Sequence, residues 1–287
     1  MCMAMLDNMT AIGTAFVKNL NKNGVSTSAV TIVLLVLVAS VGAGCRRPTE
    51  NLGPDIDTGD EAAAAEKVKE ADQLYALRED LAKVRLGLAV LRQARVADYG
   101  SYEAAWKLAR ITYYLGDHTT DEKEREDAFR EGIYVGKIAV ELKPDGPEGH
   151  FWLGANYGGD AEVSTLGSLA NVEDIRTHME KVISIDESYE AGSAYIGLGK
   201  LYLSAPRVLG GDTQKAIEYL EKGLRVGNDN ALLKLTLAQA YRAAKRNADA
   251  RKQITEILKM TPHPDYLPEY KEAVREAQKL QEEMGRS

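Results

Sequence analysis

From Glu61 onward the apolar positions fall three and four residues apart, the spacing of helices that bury one face, and helix follows helix to the end of the chain. Glu61 to about Arg78 opens on an alanine run, and Asp80 to Asp98 carries Leu81, Val84, Leu88 and Leu91 at helical spacing. The two stretches predict a first, degenerate helix pair. Tyr102, Trp106, Ala109 and Tyr113 mark the first helix of a second pair, whose second helix carries Gly132, Gly136 and Ala139 and ends at Lys143-Pro144. A third pair is drawn by His150, Leu153, Gly154 and Tyr157, then by Ile175, Met179 and Val182. The fourth holds Tyr195, Leu198, Gly199 and Tyr202, then Ala216, Leu220 and Gly223. The fifth is the most regular, with Leu237, Ala238 and Tyr241 followed by Ala250, Ile254, Ile257 and Pro262. Leu267 to Met284 is a charged helix with Tyr270, Ala273 and Ala277, suited to cap the apolar end of a stack. The expected fold is an all-α solenoid of about five helix pairs plus a C-terminal capping helix, occupying residues 61–287.

The fourth pair shows the residue types behind this reading. An aromatic is followed by Leu-Gly three residues on, then by Tyr, and later by Ala-x3-large, which is the pattern of a tetratricopeptide repeat. The glycine and alanine let two antiparallel helices approach, while Leu198, Tyr202 and Leu220 fill the seam between them. Tyr113, Tyr157, Tyr202 and Tyr241 recur at intervals of 44, 45 and 39 residues, against about 34 for the standard repeat. The surplus falls between paired helices, at Gly116–Glu124, Gly158–Ala170 and Ser204–Asp212. Three such loops are expected to emerge on one edge as a rim, represented best by Pro206, Arg207, Gly210, Gly211 and Asp212. The glycines there permit positive φ, and Asp212 or Thr213 caps the next helix.

The Pro-x3-Gly-Gly loop at 206–211, followed by Ala216 and Leu220, resembles the T component associated with some TRAP transporters. His150-Phe151-Trp152-Leu153-Gly154-Ala155, and Ile185-Asp186 with Tyr189 and Gly192, are similar to segments of the same family. The resemblance covers roughly residues 145–226 well and the rest more loosely. It implies a tetratricopeptide-like lipoprotein of the bacterial envelope, partnering the periplasmic substrate-binding protein of a TRAP transporter, with self-association into a homo-oligomer. A more distant likeness runs to eukaryotic regulators of microtubule dynamics built on the same repeats, and it says little about function.

The first sixty residues fit an exported chain. Ala29 to Gly44 is almost purely apolar and ends on Cys45; the run is short for a spanning helix and matches a signal-peptide core. Residues 1–44 therefore read as a lipoprotein-type signal with a long n-region, and Met9 is an alternative start. Cys45, after Ala43-Gly44, resembles the acylated cysteine of a bacterial lipoprotein, although Gly42 stands at −3 where such signals usually carry leucine. An uncleaved anchor and ordinary secretion are the other readings. Of the two cysteines, Cys2 would leave with the signal, and the remaining Cys45 has no partner for an internal disulfide. Residues 45–60, rich in Pro, Gly and Asp, read as a flexible tether reaching about 50 Å when extended. The expected location is the bacterial envelope, lipid-anchored and facing the periplasm.

Charge and motifs exclude several function classes. The formal charge of −7 and the lack of a basic stripe argue against a nucleic-acid partner. His118, His150, His178 and His263 include no i, i+4 pair, so no metal site is expected. Gly210-Gly211-Asp212-Thr213-Gln214-Lys215 lacks the Gly-Lys-Ser/Thr ending of a phosphate loop and follows a helix. No catalytic constellation and no cofactor motif is present, so a binding surface remains. In such solenoids the first helices of successive pairs line a concave groove. The positions that map there are Lys107, Ile111 and Tyr114; Phe151 and Ala155; Ile196, Lys200 and Leu203; and Leu235, Gln239 and Arg242. Tyr114, Phe151, Ile196, Lys200 and Leu203 form the expected groove site, an apolar strip with one cation, suited to a hydrophobic or amphipathic ligand or an extended peptide. Two alternatives stay open. The C-terminal helix or a tight superhelix fills the groove, or the chain is a general protein-docking scaffold of the envelope.

Overall fold

The computed structural model describes residues 59–163 and 171–285, which form eleven α-helices and three short 3₁₀ turns, with no strand among them. The expected signal segment 1–44, Cys45 and nearly all of the tether at 45–60 lie outside the described residues. The helices pair as the periodicity predicts. The first pair is α1 (Glu61–Tyr75) with α2 (Leu81–Ala97), and the second is α3 (Tyr102–His118) with α4 (Glu122–Leu142). The third joins α5 (Pro147–Val163) to α6 (Val172–Ile185), the fourth α7 (Ser193–Ser204) to α8 (Thr213–Val226), and the fifth α9 (Ala231–Ala243) to α10 (Asn247–Lys259). The capping helix α11 follows at Leu267–Gly285. No described helix is long and apolar enough to cross a membrane.

Most starts are fixed by a polar side chain that accepts from an otherwise unpaired backbone N–H. Asp60, Asp80, Ser101, Asp121, Asp212 and Asn230 do this for α1, α2, α3, α4, α8 and α9. Inside the pairs the seam is as tight as the small residues imply. A Cβ at Gly199 would lie 2.6 Å from the Leu220 side chain, and one at Gly223 would lie 2.7 Å from Tyr195. Leu198, Tyr202 and Leu220 are all buried. Two apolar clusters run along the stack and share Ile183, Leu203 and Tyr219, so the fourth pair is where they meet.

The expected rim of three loops is corrected by the structure. Between α3 and α4 three residues remain, 119–121, because the surplus lengthens the helices to 17 and 21 residues. Gly116 is not a turn glycine: the Phe129 ring packs on it, 2.7 Å from where a Cβ would stand. At Gly158–Ala170 the helix continues through both glycines to Val163, and 164–170 are not described. Ser204–Asp212 is the loop expected. It holds a 3₁₀ turn at Arg207–Leu209, Gly210 has φ +92°, and the Asp212 carboxylate accepts from the N–H groups of Gln214 and Lys215 at 2.9 and 3.2 Å. Gly211 serves differently, since a Cβ there would strike the Ala205 carbonyl.

Candidate functional site

The first helices of the pairs turn one face toward a common concave side, and their aromatic residues collect there. Trp106, Tyr113 and Tyr114 come from α3 and Phe151 and Trp152 from α5, while Ile196 and Leu201 come from α7. The open side is crossed by the stretch between α10 and α11, with Met260, Pro262, Tyr266, Leu267 and Tyr270. The partly covered space has a volume of about 1210 Å³, above the usual range of ligand pockets (roughly 300–1,000 Å³). The groove is therefore neither open nor filled: the C-terminal segment bridges it and leaves a cavity beneath.

The closure brings the two ends of the described chain together. The Arg78 guanidinium donates to both oxygens of Glu269 at 2.9 and 2.7 Å and to the Asp265 carbonyl at 2.6 Å. Lys271 pairs with Glu79 at 2.9 Å, and the Tyr266 hydroxyl donates to Glu190 at 2.8 Å. Glu190 and Ala191 both have positive φ, 47° and 50°, a conformation that costs a non-glycine residue about 1–3 kcal/mol and tends to mark functional segments. Both residues line the cavity.

At one end of the cavity Arg110 stacks 4.0 Å from the Tyr75 ring centroid and pairs with Asp72, which also takes Lys107 at 2.5 Å. Burial pushes the Tyr75 phenol up to about 12, against the opposing pull of Arg110. One turn further along α3 the Tyr114 ring meets Tyr75 edge-on at 5.8 Å, and His118 stacks on Tyr114 at 3.9 Å. Burial there raises the Glu272 carboxyl above its usual range, Asp117 adds to the rise, and His118, Lys200 and Arg275 oppose it.

Of the expected groove residues, Tyr114, Phe151, Ile196 and Lys200 line the cavity, as do Lys107 and Ala155. Leu203 does not: it is half-buried where the two apolar clusters meet. Ile111 lies inside the stack with its Cδ1 against Gly87. Leu235 is buried in the second cluster, and Arg242 pairs with Glu283 of α11. The capping helix thus takes most of the fifth pair out of the groove, and Ala231 and Leu232 at the start of α9 still line the cavity. Of the loop residues Pro206 reaches the cavity edge, and Arg207, Gly210, Gly211 and Asp212 stand outside the lining.

Lys200 does not stand alone as an anion site. The lining carries nine Asp and Glu side chains against four Lys and Arg, so the cavity holds no net positive field to favour a carboxylate. Arg78, Arg110, Trp106 and Trp152 belong to the lining but not to the expected set. The two tryptophans were visible as aromatic positions on first helices; nothing local marks Arg78. A histidine pair also escapes the i, i+4 test, because it spans two helices. His150 Nδ1 and His178 Nδ1 are 2.9 Å apart, His150 Nε2 lies 2.9 Å from the Pro144 carbonyl, and burial together with His150 lowers His178 to about 4. Among the described residues no group of three His, Cys, Asp or Glu is placed to hold a metal.

Comparison with known proteins agrees with this architecture. Residues 67–203 match the family model described as regulator of microtubule dynamics protein 1-3, and residues 209–279 match a tetratricopeptide-repeat model. No curated protein matches the chain. Among solved structures, a thermophilic tetratricopeptide-repeat protein from Thermus thermophilus superposes with a TM-score of 0.55 at 21% identity, covering 74% of this chain and 99% of that one. MamA aligns with a TM-score of 0.42 at 16% identity, over 72% of this chain and 93% of that one. The repeat match over residues 209–279 and the shared fold give this chain a tetratricopeptide-like helical-repeat architecture.

Proposed function

We propose that the chain is a non-catalytic binding component of the bacterial envelope, held by lipid at Cys45, which captures a hydrophobic or amphipathic ligand in its concave cavity. Helical repeats of this type are protein-binding scaffolds, and the same reading makes the chain an accessory to the substrate-binding protein of a TRAP-type transporter. The observation that carries the ligand is the partly covered cavity of about 1210 Å³ walled by aromatic rings. A compact apolar body fits beneath the bridge, where each 100 Å² of buried apolar surface contributes on the order of 2.5 kcal/mol. The transporter link is supported by the resemblance of residues 145–226, with its Pro-x3-Gly-Gly loop.

The test is native purification followed by mass spectrometry of co-purifying small molecules, lipids and proteins. An apolar or amphipathic compound in stoichiometric amount supports the cavity, and a periplasmic substrate-binding protein supports the transporter link. A protein that arrives empty and takes up no apolar probe rejects ligand capture. A second reading, a general docking scaffold of the envelope, has its own observation. Val96, Tyr99 and Tyr134 are 67–70% exposed on the first two pairs, and both tyrosines flank Arg95. Capture of an assembly protein that depends on Tyr99 and Tyr134 would favour it.

A further inference from the structure

We propose that residues 263–272 are a latched strap, released from the first helix pair to admit a ligand; the proposal rests on the reading of the cavity as a binding site. The two halves of the C-terminal segment are held in different ways. From Ala273 onward α11 is anchored by burial, with Ala273 and Ala277 fully enclosed and Leu280 and Met284 6% exposed in the cluster formed with α9 and α10. From Thr261 to Glu272 no residue is buried. Tyr270, half-buried against that cluster and donating to the Met260 carbonyl at 3.2 Å, is an apolar attachment of the strap, and none of the strap's residues is fully enclosed.

Besides Tyr270, and His118 Nε2 3.9 Å from Glu272, a small set of polar contacts holds it at two places. One is the short loop between α1 and α2, where Arg78 grips Glu269 and the Asp265 carbonyl, and Glu79 takes Lys271. The other is Glu190, which accepts from Tyr266. The Arg78 side chain is 8% exposed, but Glu269, Glu79 and Lys271 are 25–55% exposed. Such pairs exchange readily with water and salt, which puts the strap at the low-stability end of the molecule. Most of the other walls are packed helices whose separation would break the core, the rest being short turns at 76–79, 190–191, 205–206 and 229–230. The strap is therefore the part of the enclosure that opens at least cost. Pro262 and Pro264 stiffen its leading end, and Pro268 stands at the start of α11, where a helix tolerates proline.

The test uses the full chain and the neutral fluorescent probe N-phenyl-1-naphthylamine, mixed by stopped flow. One variant combines Tyr266→Phe, Glu269→Ala and Lys271→Ala; a second, Arg78→Ala, cuts the same latch from the other side. Both are expected to raise the association and dissociation rates together by about tenfold while affinity changes much less, since a gate alters rates more than end states. Hydrogen exchange across 263–272 should accelerate in both variants, and exchange across 273–284 should not. High salt should move the parent toward the variants. Unchanged rates with faster strap exchange show that the ligand passes elsewhere and overturn the strap alone. Unchanged exchange shows that these contacts are no latch and overturns it too. If neither parent nor variants take up the probe, the cavity reading fails and the strap falls with it.

Discussion

Replacing Leu220 by alanine tests the helix seam most sharply when combined with a change at Gly199. Leu220 is fully enclosed on α8, and a Cβ at Gly199 on α7 would stand 2.6 Å from its Cγ and Cδ2. Leu220→Ala removes those atoms and leaves a void that packed helices close only in part, so the expected loss is about 2–5 kcal/mol. For a domain of this size that is a fall of roughly 2–4 °C in melting temperature per kcal/mol. Gly199→Ala alone adds a methyl where the leucine already stands, at a strain of about 1–3 kcal/mol, partly offset by the gain of about 1 kcal/mol that alanine brings to a helix interior. In the Leu220→Ala background the same methyl enters the void, so the strain vanishes and the helix gain remains. Gly199→Ala should thus destabilise the parent and stabilise the Leu220→Ala variant, with a coupling of about 1–3 kcal/mol between the sites. Urea denaturation of the parent, both single variants and the double variant measures it. Additive effects, or a loss well below 2 kcal/mol for Leu220→Ala, would refute the pairing of α7 with α8 described here.

Other expectations follow from the anchor, the cavity and the histidine pair. Cys45→Ser should abolish metabolic lipid labelling and move the protein to the soluble fraction; unchanged membrane association would reject the lipid anchor. Phe151, 8% exposed and edge-on to Trp152 and Tyr189 at 4.8 and 5.4 Å, should on conversion to alanine weaken probe capture at least fivefold, since losing part of a buried ring costs about 1–3 kcal/mol of apolar contact; titration reads this directly. Lys200→Ala should weaken anionic probes only slightly more than neutral ones because acids dominate the lining; a loss confined to anions and larger than tenfold would contradict that electrostatic reading. His178, lowered from 6.5 to about 4, binds its proton in the unfolded chain before the folded one. Stability should therefore fall as pH drops from about 6.5 to about 4, by about 1–2 kcal/mol after allowing for partial exposure, and His178→Gln should flatten that part of the pH profile.

Much of the architecture was legible in local spacing. Apolar residues three and four apart place both helices of each pair, because the requirement that one face be buried acts over two turns. Asp212 could be named as a cap because a cap bonds to residues two and three places on. The first helix was expected to reach about Arg78 and stops at Tyr75, which frees Arg78 to join the closing contacts. Excess repeat length was legible, but not its form. Gly116 reads as a turn residue until Phe129, thirteen positions later, is seen to need the space above it.

The candidate site was only half legible for a related reason. Tyr114, Phe151, Ile196 and Lys200 share a register on first helices, so the repeat itself carries them to the concave side. Leu203 breaks that rule because its side chain falls into the join of two clusters. The acid excess around Lys200 gathers from elements far apart in the chain, and the His150–His178 contact joins residues 28 positions apart across the third pair.

The sequence by itself determined the helices, their pairing, their caps and the apolar seams, since each depends on residues within a few positions or within one repeat. Whether the solenoid closes was decided only in the tertiary structure. Arg78 and Glu269 stand 191 positions apart, and their meeting depends on the small rotation added at every helix interface. That rotation, accumulated over five pairs, decides between an open groove and a cavity under a strap, and no local spacing records the sum.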